Sequence, residues 1–250
     1  MNDNTNTQAL ITVAIPAYNE EKTIANAIDS IRSQDIGIPI NIIVVDNAST
    51  DKTAEVAKNM GIDVIHESTK GVYYSRQAAL KSINTEFVIF IDADTILSKH
   101  WIRKTYTYLK SHPNTVVITS NYYFYDADFP LFLLITITQF ILAPFTLILL
   151  RLFRKPDLFM NTAFIARTEV LKRIGGFSKE FHFYGEDIDL GYRFSKEGKV
   201  KFFLSLFFST SGRRYKKFGI LKTLLMYYVP ATYILLGKRD KAILFSNKYS

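Results

Sequence analysis

Asp92-Ala93-Asp94 stands directly behind the apolar run Phe87-Val88-Ile89-Phe90-Ile91. Five apolar residues between Glu86 and Asp92 read as a buried strand of a parallel sheet, so the two carboxylates fall where that strand runs out into solvent. Open α/β sheets bind ligands just beyond the carboxyl ends of their strands. Oxygen ligands at this spacing suit a hard divalent cation that also takes phosphate oxygens from a substrate. The same residues suit a solvated turn in which Asp94 caps the following helix. Two further apolar runs end alike, Ile11–Ile15 in Pro16-Ala17-Tyr18-Asn19-Glu20 and Ile40–Val45 in Asp46-Asn47-Ala48-Ser49-Thr50-Asp51. In a parallel sheet these ends share one edge, which a nucleotide can span. No G-x-G-x-x-G or Walker loop occurs anywhere, which argues against dinucleotide oxidoreductases and P-loop enzymes. A diphosphate bound without a glycine loop needs other neutralisation, and a metal at Asp94 supplies it.

Further along, Glu186-Asp187-Ile188-Asp189 opens a helical pattern. Asp187 there can accept a proton from an attacking hydroxyl, while Asp189 faces away on the helix. An acidic first turn also complements the helix dipole without any chemistry. Gly175-Gly176 serves equally as a helix stop or as part of an acceptor site. The run Arg213-Arg214-Tyr215-Lys216-Lys217 suits a solvated face or a phosphate or lipid surface.

The elements that position these groups alternate in the α/β manner. Strands are expected at Ile11–Ile15, Ile40–Val45, Ile62–Ile65, Phe87–Ile91 and from Val116, with helices at Glu21–Gln34, Asp51–Met60, Val72–Ile83 and Ser98–Lys110. Later, Leu158–Ala166 and Lys201–Phe208 read as strands, and Thr168–Ile174 and Glu186–Lys196 as helices. Asp94 is expected at a solvent-facing strand end, where replacing it leaves folding nearly unaffected.

Residues 131–150 carry no charge, a length matching a membrane span. A single crossing would put Asp92 and Asp94 on the opposite side from Asp187. The segment is therefore expected as an in-plane or re-entrant helix pair, with a pair of buried core helices as the alternative. Ile220–Leu236 is a second largely apolar stretch.

At 250 residues the chain can bury one sizeable core. Without Cys it has no disulfide, thiolate site or cysteine nucleophile, and His66, His100, His112 and His182 lack the spacing of a zinc site. The first ten residues are polar and unlike a signal peptide, so a cytoplasmic location is expected. From Lys196 to Ser250, 12 Lys/Arg oppose only Glu197 and Asp240, so the positive charge of the chain sits at its carboxyl end. Such a surface suits anionic lipid, a phosphorylated substrate or another polyanion.

The ordered set of motifs resembles the family 2 glycosyltransferases. The matching elements are Ile15–Glu20, Val44–Asp51, Gly71 with Arg76, Asp92-Ala93-Asp94, Asn161-Thr162-Ala163, Gly175-Gly176-Phe177 and Gly185–Leu190, spanning residues 11–215. The resemblance implies the GT-A fold, a Rossmann-like mixed sheet flanked by helices, and inverting transfer from a nucleotide-diphosphate sugar with Mn2+ or Mg2+. It implies a catalytic unit over residues 1–215, with an apolar helical insertion at 129–155. Residues 216–250 would form a membrane-associated segment. Donor contacts would come from Pro16, Ala17, Tyr18, Glu20, Asp46, Arg76, Asp92 and Ala93, with Arg213 and Arg214 assisting the leaving group. Asp94, with Asp92, would hold the metal and Asp187 would be the general base. Asn161, Gly176, Phe177 and Glu186 would lie on the acceptor side. A third metal ligand is left open, because Ser209–Arg214 occupies a stretch where some relatives place a histidine. The acceptor would be a lipid-linked or polysaccharide chain at the cytoplasmic face of a membrane, with no nucleic acid as partner. A glycosidase also needs paired carboxylates but has no use for a nucleotide-binding strand edge. A non-enzymatic lipid- or polyanion-binding module would bind independently of Asp94 and Asp187.

Overall fold

The computed structural model describes residues 9–142, 145, 161–181 and 185–248. The first half alternates as expected: β1 (Ile11–Ala17), α1 (Ile24–Arg32), β2 (Ile40–Asp46), α2 (Thr53–Asn59), β3 (Asp63–His66), α3 (Val72–Ser82) and β4 (Phe87–Phe90). Then come β5 (Ile96–Leu97), α4 (Trp101–Ser111), β6 (Thr115–Phe124), α5 (Phe129–Ile137), β7 (Phe164–Arg167), α6 (Thr168–Arg173), α7 (Glu186–Glu197) and β8 (Lys199–Thr210). Three helices close the chain, α8 (Arg213–Phe218), α9 (Ile220–Leu235) and α10 (Arg239–Lys248).

Among the described residues the strands form one mixed sheet in the order β3-β2-β1-β4-β7-β6-β8-β5. β3, β2, β1 and β4 are parallel. β7 runs antiparallel to both β4 and β6, joining the parallel half to the β6-β8 pair. The strand expected at Leu158–Ala166 is therefore found at Phe164–Arg167, and residues 158–160 lie outside the described part.

Both sheet faces are covered. Val13, Ile15, Phe87 and Ile89 join α1 and α4 in one core, whereas Ala14, Val88 and Phe90 join α3, α6 and α7 in another. This period-two division is what continuous apolar strands require when helices pack on either side. Trp101, fully buried, fixes α4 to β6 by donating from Nε1 to the Ser120 hydroxyl at 2.8 Å.

The apolar run at 131–150 forms the end of α5, which continues in a π-helical turn over Thr138–Leu142; residues 143, 144 and 146–150 lie outside the described part. Buried core helices are not what α5 and α9 are. Phe129, Phe132, Phe140, Ile141, Leu221 and Leu225 are all exposed. Their inner faces meet in a small cluster of Leu131 and Tyr215 with Leu134, Ile220 and Leu224. Among the described residues no helix is long and apolar enough to cross a membrane.

Candidate active site at the carboxyl edge of the sheet

The topology brings the polar segments together. Parallel pairing aligns Ala17 with Asp46 and Ala14 with Phe90, so β1, β2 and β4 all end on one edge. Antiparallel pairing of Phe90 with Phe164 places the start of β7, and hence Asn161 and Thr162, on that same edge. β8 runs parallel to β6 and delivers Ser211–Arg214 there as well.

The turns that leave β1 and β2 are interlocked. Asn19 and Ala48 both take left-handed backbone conformations, with φ of 55° and 57°. Such conformations in non-glycine residues cost free energy and persist where the surroundings enforce them. Here the Asn19 amide donates to the Ser49 hydroxyl at 3.0 Å, and the Thr50 amide donates to Asn19 Oδ1 at 2.8 Å. Asn47 fixes the approach to α3: its Nδ2 donates to the Thr69 carbonyl at 2.6 Å and its Oδ1 accepts from the Gly71 amide at 2.8 Å. Those bonds set the start of the helix that carries Ser75 and Arg76.

Between these turns lies a cleft of about 410 Å³. It is lined by twelve of the expected residues: Pro16, Ala17, Tyr18, Glu20, Arg76, Asp92, Ala93, Asn161, Glu186, Asp187, Arg213 and Arg214. Sequence reasoning missed Asn19, Asn47, Val72, Ser75, Thr162, Phe164, Leu190 and Tyr227, which complete the wall. Asn19 and Asn47 lie inside the polar turns that end β1 and β2, so their kind is legible from the sequence. Tyr227 was not, because only folding brings α9 over the cleft.

Charge is concentrated at the centre. Arg76 donates to Glu186 Oε2 at 2.7 Å and to Asp92 Oδ1 at 3.2 Å, and its guanidinium lies 5.5 Å from the Phe177 ring centre. Burial disfavours the Arg76 cation, yet the neighbouring Glu186 and Asp92 raise its pKa above the ordinary value. Glu186 is buried, and burial, together with Asp187 and Asp92, raises its carboxyl pKa against the pull of Arg76. Asp187 lies on the cleft wall, where burial raises its carboxyl above the usual range; the Ile188 amide, Arg76 and Arg214 oppose the rise. Asp189 is turned away from the cleft. It receives Arg193 at 2.9 Å and Arg239 at 2.7 Å, and so ties α7 to α10.

Asp94 departs from expectation. It is 7% exposed rather than solvent-facing, and Thr210 donates to its Oδ1 at 3.1 Å. Burial, then the charges of Asp92 and Glu20, push its carboxyl up to about 6 despite Arg213 at 3.3 Å. Arg213 also forks onto both carboxylate oxygens of Glu20.

Asp94 is not among the residues lining the cleft, and neither are three other expected contacts. Asp46 is buried and engaged by His66 at 2.9 Å and by the Ser49 amide at 3.3 Å, so its carboxylate holds the turn after β2. Gly176 ends α6 with φ of 71°, and the Phe177 amide donates to Gln77. Phe177 is itself buried, packing edge-on against Phe90 behind Arg76. Phe177 thus backs the wall at Arg76, while Gly176 packs against Gln77 and Leu80.

A family model described as "Glycosyl transferase family 2" matches residues 12–175. That stretch holds the turns from Pro16 to Asp94 and Asn161, and it stops before Glu186 and Asp187. Poly(ribitol-phosphate) beta-N-acetylglucosaminyltransferase TarS of Staphylococcus aureus is 28% identical over 113 residues, 42% of this chain and 20% of that protein. The 4,4'-diaponeurosporenoate glycosyltransferase of the same organism is 38% identical over 96 residues, 36% of this chain and 25% of that protein. The chain thus matches a quarter or less of these curated relatives' length. Among solved structures, the mannosyltransferase PcManGT from Pyrobaculum calidifontis, in complex with GDP-Man and Mn2+, superposes with a TM-score of 0.66 at 17% identity, over 96% of this chain and 73% of that one. TarS residues 1–349 in complex with UDP-GlcNAc superpose at 0.62 and 20% identity, over 81% and 58%. The fold of these structures is the GT-A arrangement that the motifs imply, and with the family model spanning most of the chain, the protein belongs to glycosyl transferase family 2.

Proposed function

We propose that the protein is an inverting glycosyltransferase that moves a sugar from a nucleotide-diphosphate donor to a lipid-linked or polysaccharide acceptor at a membrane surface. The observation that carries this reading is the convergence of Glu20, Arg76, Asp92, Asp187 and Arg213 on one cleft beyond the carboxyl ends of β1 and β4. TarS and PcManGT, both bound to nucleotide sugars in their solved structures, support the donor class.

The residues present fit a divalent cation shared with a diphosphate. Burial first, then the charges of Asp92 and Glu20, holds the Asp94 carboxyl up at about 6 against the pull of Arg213, so a divalent cation there would relieve the crowded carboxylates. Among the described residues no three His, Cys, Asp or Glu side chains form a metal-binding group, so Asp94 and Asp92 would hold the ion and phosphate oxygens would complete its shell. When bound there, Mn2+ or Mg2+ supplies charge neutralisation to the diphosphate.

The side chains perform the remaining chemistry. The acceptor hydroxyl gives its proton to the Asp187 carboxylate as its oxygen bonds to the anomeric carbon. The bond from that carbon to the diphosphate breaks, and its electron pair leaves with the diphosphate toward Arg213 and Arg214. A base on the face opposite the leaving group gives inversion. Arg76 keeps Glu186 and Asp92 apart from Asp187 in role, by pairing with both. Tyr18, beneath Lys70 at 5.0 Å, offers a ring face to the nucleobase.

Membrane attachment rests on the outer faces of α5 and α9. Phe129, Phe132, Leu221 and Leu225 are exposed, as are Lys216, Lys217 and Lys222 at the start of α9 and in the helix before it. Apolar and aromatic groups with a basic flank suit an anionic bilayer surface. In this reading residues 1–215 form the catalytic unit, and 216–250 hold it at the cytoplasmic face. TarS is named for a poly(ribitol-phosphate) substrate, which supports a phosphate-bearing polymer as the acceptor class.

The test is a thermal-shift panel of UDP- and GDP-sugars with Mn2+ or Mg2+, followed by assignment of the product anomer. A donor at 100 times its dissociation constant should add about 2.7 kcal/mol. A panel with no stabilising donor, or a product of retained configuration, would refute the reading.

A further inference from the structure

We propose that Arg213 is an internal counter-cation that keeps the metal position closed until a diphosphate arrives, making metal loading depend on the donor. The inference rests on the nucleotide-diphosphate reading above and adds an order of events to it.

Arg213 is the first residue of α8, and its side chain is 57% exposed. Its guanidinium nevertheless reaches back across the chain to Glu20, where it pairs with both oxygens, and to Asp94 Oδ2 at 3.3 Å. One guanidinium therefore neutralises Glu20 and the buried Asp94 together. A divalent ion bound to Asp94 would meet that guanidinium at the same carboxylate. Two cations sharing one carboxylate repel, so the ion binds well only when Arg213 has swung away.

The exposed guanidinium has somewhere to go. A diphosphate in the cleft presents oxygens that accept the Arg213 fork as a carboxylate does. Its anchor stays in place during such a swing. Ser211 Oγ donates to Asp126 Oδ2 at 2.8 Å, and the Gly212 amide donates to Asp126 Oδ1, so the backbone before α8 is fixed while the side chain moves. By transferring from Asp94 to phosphate, Arg213 couples the two ligands beyond any direct bond between them. Such coupling is reciprocal, each ligand tightening the other by the same factor.

Mn2+ binding to the full chain tests this, read by the paramagnetic resonance signal of free Mn2+ with and without UDP or GDP. In the absence of nucleotide, Arg213→Gln should bind Mn2+ roughly ten-fold more tightly than the wild type. Arg213→Lys, which keeps a cation of similar reach, should bind it as weakly as the wild type. With nucleotide present, the advantage of Arg213→Gln should shrink or reverse. Asp94→Asn should bind no Mn2+ in either condition, identifying the site. Equal or weaker Mn2+ binding by Arg213→Gln without nucleotide overturns the inference alone. Absence of Mn2+ binding by the wild type with either nucleotide overturns it together with the metal part of the proposed function.

Discussion

Replacing Asp94 with Asn should make the metal-free protein more stable while disabling it. The carboxyl is 7% exposed, and its pKa is lifted from 3.8 to about 6 in the fold. A raised carboxylate pKa means that the folded protein holds the proton more tightly than the unfolded chain does. Ionisation therefore works against folding, and stability falls as pH rises from about 4 through about 6. A lift of about two units corresponds to roughly 3 kcal/mol at most once the group is fully ionised. Asn keeps an oxygen to accept from Thr210 and carries no charge, so it escapes this penalty. Urea unfolding in EDTA checks it: the Asn variant should exceed the wild type by roughly 2–3 kcal/mol at pH 7.5, and the gap should nearly close at pH 4. Turnover should fall by about 10² or more, because the leaving diphosphate loses its charge compensation. Mn2+ with nucleotide should then raise the stability of the wild type but not of the variant. A variant no more stable than wild type at pH 7.5, or a gap independent of pH, would refute the reasoning.

Asp187→Asn preserves shape and removes basicity, so turnover should drop by about 10²–10⁴ with donor affinity retained in the thermal-shift assay; unchanged turnover would exclude it as the base. Gly176→Ala puts a methyl 2.5 Å from Gln77 Oε1 and 2.7 Å from Leu80 Cδ2 at a φ of 71°. That should lower stability by about 1–3 kcal/mol in denaturant titrations, against near-neutrality if the loop merely relaxes. Phe132→Ser with Leu221→Ser should weaken sedimentation with anionic phospholipid vesicles while leaving the folded stability within about 0.5 kcal/mol, since both side chains are exposed. Binding unaltered by both changes would move the membrane contact elsewhere.

The parallel half of the fold is legible because its strands are largely apolar runs, interrupted only by single polar residues such as Thr12 and Asn41, and β1, β2 and β4 each end in a polar turn. Reading those runs as parallel strands puts Pro16–Glu20, Asp46 and Asp92 on one edge, and β1, β2 and β4 do end together. What stayed hidden depends on distant partners. Nothing near Asp94 announces Thr210 or Arg213, so its burial was unreadable. The resemblance implies that Asp46 reads a nucleobase, but nothing near it in the sequence announces its pairing with His66, one strand over. The short β5 and the basic helices α8 and α10 lack a long apolar stripe, and local periodicity does not flag them. The resemblance implies an acceptor-side role for Gly176 and Phe177, but only the fold shows Phe177 packed against Arg76 and Gly176 against Gln77 and Leu80.

The reversed strand β7 has a kinetic consequence. It is the seam between a locally wound half, β1 to β4, and a half assembled from distant strands, β6 and β8. Glu20 and Asp92 stand on one side of that seam, Asp187 and Arg213 on the other. The cleft exists only after the seam has closed, and closure joins strands far apart in the chain, a slow event. Until then β4 and β6 present unpaired edges that can zip onto another chain. On the proposed function, a nucleotide donor bound across the closed seam would draw the equilibrium toward the joined state, so refolding yield in dilute buffer should rise with donor concentration.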